Sequence, residues 1–308
     1  MSFVSLPMMR ARPNQAEPKP GRTTPLDLSS VITSRDNRWL KAYREALHGS
    51  RPPENGLVGL EGPHLIEEAV RSGLKLESIL VSPAGEKHLR RLATSLDRGP
   101  EWFHQMPTFY TSEKLFASVA GTETPQGIAA LAAPRTWSFE DLLRGDVPLV
   151  VVMSAVQDPG NVGTILRSSE AFGATGVIAA RGTAHPLAPK ALRASAGSAL
   201  RIPLLEGIAG PVALAQLRMC GLTLLAASSH NHSGAAVQTM SPSQTDLRGP
   251  TAIVIGNEGS GLPIELIESV DGIIAVPLAP EVESLNAAIA ASVILYEATR
   301  QRSAERMS

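Results

Sequence analysis

Cysteine is almost absent from this chain of 308 residues, which contains Cys220 and no other. A single cysteine cannot form a disulfide within the chain, so a disulfide-stapled secreted domain is excluded and a reducing compartment fits. Apolar runs of membrane-spanning length are also missing, and the N-terminus lacks the apolar segment of a signal peptide. We therefore expect a soluble, cytoplasmic protein with no membrane partner.

Neither sign of charge predominates, since 28 Lys and Arg residues are balanced by 29 Asp and Glu residues, for a net charge of -1. The distribution is more informative than the total. Residues 181–201 contain four basic side chains and no acidic one, and residues 35–51 contain five basic side chains. Either cluster could contact phosphates, although a solvated surface is the simpler interpretation of a charge cluster alone.

Several familiar ligand motifs are missing. The glycines at 256, 259 and 261 have the spacing G-x-x-G-x-G, which is not the G-x-G-x-x-G of dinucleotide-binding folds, and no Gly-Lys-Ser/Thr phosphate loop occurs. A dinucleotide-dependent oxidoreductase is therefore disfavoured. The close pair His230 and His232 has no Cys, Asp or Glu ligand nearby, so we expect a surface loop there and no metal site.

What the chain does contain is an alternation of short apolar strands with helices in two successive regions. This alternation predicts an α/β fold, with a parallel sheet covered by helices on both faces in the second region. The length also suggests two domains. The predicted organisation is a disordered tail (1–28), a smaller α/β domain (29–133), a linker (134–146), a parallel-sheet domain (147–302) and a short tail (303–308).

The most informative stretch lies near the C-terminus, where an apolar strand at 251–255 is followed by a glycine-rich loop at 256–262. A second strand, at 272–276, leads through a proline-rich loop into residues 284–286 and then an alanine-rich helix. Glycine allows the backbone to turn sharply and to approach a ligand closely. A wall made of such loops suits a flat polar group such as adenine, whose edge main-chain N–H and C=O groups can bind.

Polar residues follow the ends of the predicted strands in this domain. Taken singly, Asn161 has the ordinary interpretation of a helix cap, Arg167 of a surface residue, Glu258 of a loop charge and Ser284 of a cap for the last helix. Their shared position weakens those interpretations, because open α/β sheets bind ligands beyond the carboxyl ends of their strands.

These residues carry a resemblance to a known family. Three segments resemble, in order and spacing, the three signature motifs of the SpoU/TrmH family: Asn161-x-Gly163-x-x-x-Arg167, Gly256-x-Glu258-x-x-Gly261-Leu262, and Pro277 with Ser284-Leu285-Asn286. Residues 193–197 are similar to the segment after the family's second strand, and residues 55–131 resemble its L30e-like substrate-binding domain. The resemblance covers nearly all of the chain after the tail.

The resemblance implies a parallel-sheet, trefoil-knotted SPOUT domain behind an L30e-like RNA-binding domain. It implies methyl transfer from S-adenosylmethionine to a ribose 2'-hydroxyl of RNA, without a metal because the donor methyl group is already activated. Ribosomal RNA is favoured over tRNA, since a separate N-terminal domain recurs among such members, and a homodimer built partly on the last helix is implied. A tRNA 2'-O-methyltransferase and a relative that binds RNA without turnover stay open as alternatives.

The resemblance also implies roles for single residues. The implied catalytic residues are Arg167, Asn161, Glu258, Ser284 and Asn286. The implied adenosine-binding residues are Gly256, Val276, Leu278, Leu285, Gly261 and Ser228. The implied RNA-binding residues are Lys190, Arg193 and Arg38. Arg167 is implied to act as a general base or, because arginine with a pKa above ~12 keeps its proton, as a positive charge beside the forming alkoxide.

Overall fold

The structure, a computed structural model, describes residues 29–228 and 239–307. The predicted tail at 1–28 and the pair His230 and His232 lie outside the described residues. Two separate sheets are present, one from residues 29–132 and one from residues 149–274. None of the helices in the described ranges is long and apolar enough to cross a membrane.

The N-terminal sheet is mixed. Its strands are β1 (Ser29–Ile32), β2 (Val58–Glu61), β3 (Leu76–Val81), β4 (Thr108–Thr111) and β5 (Ile128–Ala132), accompanied by helices α1 (Arg38–His48), α2 (Pro63–Arg71), α3 (Glu86–Ser95) and α4 (Glu113–Ala117). The strand order is β1-β4-β3-β5-β2, in which β5 is antiparallel to both of its neighbours and the other pairs are parallel. The sequence pattern predicts neither β1 nor α4.

Helix α1 shows how the sequence builds this domain. It begins after Asn37, whose side chain accepts a hydrogen bond from the N–H of Trp39 at 2.8 Å. Leu40, Tyr43 and Leu47 recur at helical spacing and are buried. The hydroxyl of Tyr43 is hydrogen-bonded to the hydroxyl of Ser78 on β3 at 2.9 Å, so burial of this ring leaves no unpaired polar atom.

The C-terminal sheet is wholly parallel. Its strands are β6 (Leu149–Met153), β7 (Gly176–Ala179), β8 (Leu204–Glu206), β9 (Thr223–Ala227), β10 (Thr239–Met240), β11 (Thr251–Ile255) and β12 (Gly272–Ile274), and its helices are α5 (Pro159–Ala171), α6 (Pro189–Ala194), α7 (Gly210–Met219), α8 (Ile264–Ile267) and α9 (Ala287–Met307). The strand order is β10-β12-β9-β11-β6-β7-β8, and every paired strand runs parallel to its neighbour.

The surroundings of strand β6 explain why its sequence is a continuous apolar run. Leu149, Val151 and Met153 belong to a core shared with α5, α6 and α9, whereas Val150 and Val152 belong to a core shared with α7 and α8. Successive side chains of a strand point to opposite faces, so a strand covered on both faces needs an apolar residue at every position. The predicted parallel sheet with helices on both faces is confirmed.

The structure differs from the sequence prediction at several element ends. The apolar residues of 200–205 predict a strand, but residues 198–200 form a 3-10 turn and β8 starts only after Pro203, which has no N–H to donate to a ladder. Helix α9 continues to Met307, so residues 303–307 extend the helix into the segment assigned to a tail. A strand predicted at 272–276 ends at Ile274.

Arg201 joins the two domains. Its Nε and Nη2 donate to the two carboxylate oxygens of Glu170 on α5 at 2.6 and 2.8 Å, and its Nη1 donates to Glu68 on α2. Burial opposes ionisation of Glu170, but hydrogen bonds from Arg201 and Ser198 and the charge of Arg201 outweigh it, and the pKa of Glu170 lies below its ordinary value. One guanidinium thus ties the N-terminal domain to the helix that carries Asn161 and Arg167.

Candidate active site

A cavity of about 230 Å³ lies at the carboxyl ends of β9, β11 and β12. The first turns of α9 close its remaining side through Ala290 and Ile294. All six residues that the resemblance assigns to adenosine binding line this cavity: Gly256, Val276, Leu278, Leu285, Gly261 and Ser228. They come from four separate segments of the chain, so the predicted meeting of strand ends takes place here.

Three of the implied catalytic residues form a hydrogen-bonded chain beside this cavity. The side-chain oxygen of Asn286 accepts from the N–H groups of Ala288 and Ile289, at 2.9 and 3.2 Å, and so caps α9. Its Nδ2 donates to Oδ1 of Asn161 at 2.9 Å, and Nδ2 of Asn161 donates to Oε1 of Glu258 at 2.7 Å. Because the cap uses the oxygen of Asn286, the donor and acceptor ends of both amides are fixed in turn.

Two interpretations of single residues are corrected by these contacts. Asn161 does not cap α5, because the helix begins at Pro159 and the side chain of Asp158 accepts from the N–H of Gly160 at 3.2 Å. Ser284 does not cap the last helix, because Asn286 occupies that position. Ser284 is instead an exposed residue on the lip of the cavity, which Glu258 also lines.

Arg167 is not part of this hydrogen-bonded series of residues. It is exposed, it does not line the cavity, and within residues 29–228 and 239–307 it makes no hydrogen bond or ion pair. Arg167 lies six positions after Asn161, which advances an α-helix by about 9 Å and leaves it roughly 120° short of two whole turns, so the two side chains leave different faces. The guanidinium is therefore available to a ligand phosphate and is not held by Asn161 or Glu258.

The implied RNA-binding residues occupy three different surroundings. Lys190 on α6 is bonded to Oδ1 of Asp158 at 2.7 Å, and this bond, followed by the N–H of Gly160, holds the pKa of Asp158 below its ordinary value. Arg193 is exposed on the same helix. Arg38 lies on α1 in the other domain, with its guanidinium carbon 5.5 Å from the centre of the Trp39 ring. The three do not form one cluster.

Asn257 is a residue to which the sequence motifs assign no role. Its Oδ1 accepts from the N–H groups of Gly259 and Ser260, both at 2.9 Å, and its Nδ2 donates to the carbonyl of Ala155 at 2.9 Å. Its backbone also pairs in both directions with that of Gly261 at 3.1 Å. Asn257 therefore shapes the loop that forms one wall of the cavity. An asparagine two residues before a glycine is a turn signal that could have identified it.

Two motif glycines are required by close packing. A Cβ atom at position 256 would lie 2.7 Å from the carbonyl carbon of Gly261 and 2.8 Å from the Leu262 side chain. A Cβ atom at position 163 would lie 2.6 Å from Cβ of Ala194 on α6. Both distances are shorter than carbon atoms tolerate, so glycine at 256 closes the loop and glycine at 163 brings α5 against α6.

Comparison with known proteins identifies the family. The model of the SpoU rRNA Methylase family matches residues 148–296, and that of an MRM3-like substrate binding domain matches residues 51–130. An uncharacterized tRNA/rRNA methyltransferase of Synechocystis is 34% identical over 90% of this chain and 95% of its own length. The 23S rRNA (guanosine(2553)-2'-O)-methyltransferase of Bacillus subtilis is 31% identical over 86% of this chain and 97% of its own length.

Solved structures lead to the same family. An AdoMet-bound rRNA methyltransferase from Sinorhizobium meliloti superimposes with a TM-score of 0.73 at 26% identity, covering 89% of this chain and 98% of that chain. The chain belongs to the SpoU methylase family. The family, and the SPOUT fold with a smaller N-terminal domain that the three motifs imply, are therefore confirmed.

Proposed function

We propose that the protein transfers the methyl group of S-adenosylmethionine to a ribose 2'-hydroxyl of RNA, with 23S ribosomal RNA as the substrate. The observation that carries the proposal is the hydrogen-bonded chain of Asn286, Asn161 and Glu258 at the mouth of a cavity lined by all six implied cofactor residues. The relative from Bacillus subtilis, which acts on 23S rRNA by name, supports the choice of substrate. This function would be carried out in the cytoplasm.

The cavity fits the donor. Its wall combines apolar side chains, including Ile274, Val276 and Leu278, with the backbone of the loop that contains Gly256 and Gly261. Apolar side chains can pack against a flat ring, while polar groups of the loops bind its edge. When bound, S-adenosylmethionine supplies a methyl group activated by its sulfonium. The solved structure of the Sinorhizobium meliloti relative is bound to that molecule, which supports the assignment.

The residues around the cavity act on the ribose. A ribose 2'-hydroxyl is a poor nucleophile until its proton is removed or its developing charge is stabilised. We assign Arg167 to the phosphate beside the target ribose and to the developing charge on oxygen, because arginine keeps its proton and this one is exposed and unpaired among the described residues. Asn161 positions Glu258, and Ser284 and Asn286 orient the junction between donor and ribose.

A homodimer formed through α9 is part of the proposal. Ile289, Val293 and Tyr296 recur at helical spacing, and they are 50%, 38% and 57% exposed. A contiguous apolar stripe of this kind on a helix is typical of an interface. Because Ala290 and Ile294 of the same helix line the cavity, the partner subunit would lie next to each active site.

Methyl transfer from labelled S-adenosylmethionine to 23S rRNA and to tRNA transcripts tests the function. We expect transfer to 23S rRNA, loss of transfer in Arg167→Ala, and much of the rate retained in Arg167→Lys if the residue supplies charge and not a base. Arg144→Ala, which removes an exposed arginine of the linker, is the matched control. Transfer to tRNA alone would favour the tRNA enzyme, and RNA binding with no transfer would favour a non-catalytic relative.

A further inference from the structure

A second cavity, of about 800 Å³, lies between the two domains. The N-terminal domain contributes Arg51, Pro52 and Gly56 to it, and the linker contributes Pro134. The C-terminal domain contributes the carboxyl ends of β7 and β8 with the loop that follows β7, at residues 179–187 and 206–207. We call this cavity the interdomain cleft. Its volume is within the range of sites that hold a nucleotide-sized group.

The interdomain cleft adjoins the candidate active site. The loop after β7 crosses the end of β6. There the N–H of Ala184 donates to the carbonyl of Val156 at 2.9 Å, and the hydroxyl of Thr183 donates to the carbonyl of Met153 at 2.9 Å. The end of β6 is held on its other side by Asn257, whose side chain donates to the carbonyl of Ala155. Residues 153–156 therefore separate the cleft from the loop that lines the cofactor cavity.

The charges of the cleft favour an anionic ligand. Arg51 and Arg181 are exposed on its two domains, and neither side chain has a hydrogen-bond or ion-pair partner in residues 29–228 and 239–307. Glu206, the one carboxylate that the described residues contribute to the lining, is bonded to Nε2 of His185 at 2.8 Å. Nδ1 of His185 accepts from the N–H of Leu187 at 3.1 Å, so the proton that reaches Glu206 is on Nε2.

The two arginines suit phosphates in particular. A guanidinium presents paired donors in a plane that matches phosphate oxygens, and it stays charged at any physiological pH. Most other arginines of the described chain have partners, such as Arg71 with Glu67 and Arg218 with Asp271. Two unpaired guanidinium groups that approach one cleft from different domains can bind successive phosphates of a single strand.

We propose that the interdomain cleft binds the single-stranded RNA segment that flanks the target nucleotide, with Arg51 and Arg181 each binding a phosphate. This inference rests on the proposed function, because the cleft adjoins the site where the ribose would react. A single strand fits better than a duplex, since its bases are free to turn into a pocket. Both domains then contact the same strand, so the strand is held in register with the active site.

The test uses the full-length protein with Arg51→Gln, Arg181→Gln and the double variant. Arg144→Gln, an exposed arginine of the linker, is the matched control. Binding of a fluorescent single-stranded RNA oligonucleotide and the KM for 23S rRNA are measured between 50 and 300 mM salt, on the order of the physiological range. Calorimetry with S-adenosylmethionine and thermal unfolding show whether the variants keep the fold and the cofactor cavity.

We expect each single variant to weaken RNA binding by about 10-fold, as expected for the loss of one charged hydrogen-bonding group. The double variant should also reduce the slope of log affinity against log salt by about 1.4, or ~0.7 for each lost phosphate contact on a single strand. Cofactor affinity and thermal stability should match those of Arg144→Gln. RNA affinity and salt slope equal to those of the control would overturn the inference.

Binding and turnover separate this inference from the proposed function. If the wild-type protein methylates no RNA, yet its RNA binding is weakened by both arginine variants, the proposed function fails, while the cleft remains an RNA-binding site. If the wild-type protein methylates 23S rRNA and both variants bind and methylate it like the control, the function stands and the cleft assignment fails. The variants Arg51→Lys and Arg181→Lys should recover part of the binding, which mere loss of folding would not produce.

Discussion

At the scale of single residues, the candidate site depends on asparagine side chains that use both of their ends. Asn286 caps α9 with its oxygen and donates to Asn161 with its nitrogen, and Asn161 donates onward to Glu258. Aspartate has a similar shape but no donor, so at position 161 it would place one carboxylate against another. The chain of contacts therefore specifies amides, and it aligns three segments that are far apart in sequence.

Asn257 provides the sharpest residue-scale prediction. Asn257→Ala removes two acceptor contacts to backbone N–H groups and one donor contact to Ala155. We expect the affinity for S-adenosylmethionine to fall about 30-fold, since the loss of loop hydrogen bonds is worth about 2 kcal/mol. Isothermal calorimetry measures the change.

Asn257→Asp is the matched variant, because it keeps the acceptor and loses only the donor to Ala155. Its affinity should lie between those of the wild type and Asn257→Ala. An alanine variant that binds the cofactor as tightly as the wild type would show that the loop keeps its shape without this side chain.

Residue types and spacing predict part of this site. The convergence of Asn161, Glu258 and Asn286 follows from their places after parallel strands, whose carboxyl ends share one edge. The separation of Arg167 from Asn161 was predictable too, because six positions along a helix place two side chains on different faces. The true cap of α5 was predictable, since proline favours the first helical position and Asp158 directly precedes Pro159.

At the scale of elements, the close contact of α5 with α6 positions the candidate site. Gly163→Ala would insert a methyl group 2.6 Å from Cβ of Ala194 and 2.9 Å from the nitrogen of Ser195. Overpacking costs about 1–3 kcal/mol, and the better helix propensity of alanine returns at most ~1 kcal/mol. We therefore expect a net loss of stability, seen as a melting temperature lower by roughly 2–6 °C.

Gly249→Ala is the control for that experiment, because no heavy atom of the described residues lies within 4 Å of the added Cβ position. Its melting temperature should stay close to that of the wild type. Equal melting temperatures for the two variants would mean that α5 and α6 can separate without cost.

Helices and strands were predictable from the sequence where they are long and where their apolar residues recur at a regular spacing. Strand β11 has the bounds that the sequence predicts, Thr251–Ile255. Strands β1 and β10 have four and two residues, and each lies at the edge of its sheet. Such short segments carry too few residues for a period, and pairing with a neighbouring strand decides their structure.

At the scale of the whole molecule, the Arg201 contact sets how the two domains meet. Glu68→Ala removes the interdomain partner of Arg201 and leaves its bonds to Glu170 on α5. We expect the KM for RNA to rise about 5-fold, because one partly buried ion pair contributes ~1 kcal/mol. The affinity for S-adenosylmethionine should not change, because the cofactor cavity lies wholly in the C-terminal domain.

Glu67→Ala is the neighbouring control, since Glu67 pairs with Arg71 on the same helix and does not reach the other domain. Small-angle scattering should show a larger radius of gyration for Glu68→Ala than for Glu67→Ala. Identical scattering and identical KM values would mean that the apolar contacts alone fix the domains.

The family resemblance predicts two domains and the fold of each, but the way they meet was not predictable. Glu68 and Arg201 are 133 positions apart, and neither belongs to a motif. An ion pair across a domain boundary leaves no periodic signal in the sequence, because each partner alone looks like an ordinary surface charge.

The proposed homodimer is tested by a charge placed on the exposed stripe of α9. Ile289→Glu puts a carboxylate on the expected interface, and burial of an unpaired charge there is costly. We expect sedimentation velocity to show a dimer for the wild type and a monomer for the variant, with methyl transfer reduced at least about 10-fold. Val212→Glu, at an equally exposed apolar residue on α7, should remain dimeric and active. If the wild-type protein is fully active as a monomer, the partner subunit takes no part in the active site, and the exposed stripe of α9 must contact something other than a second copy.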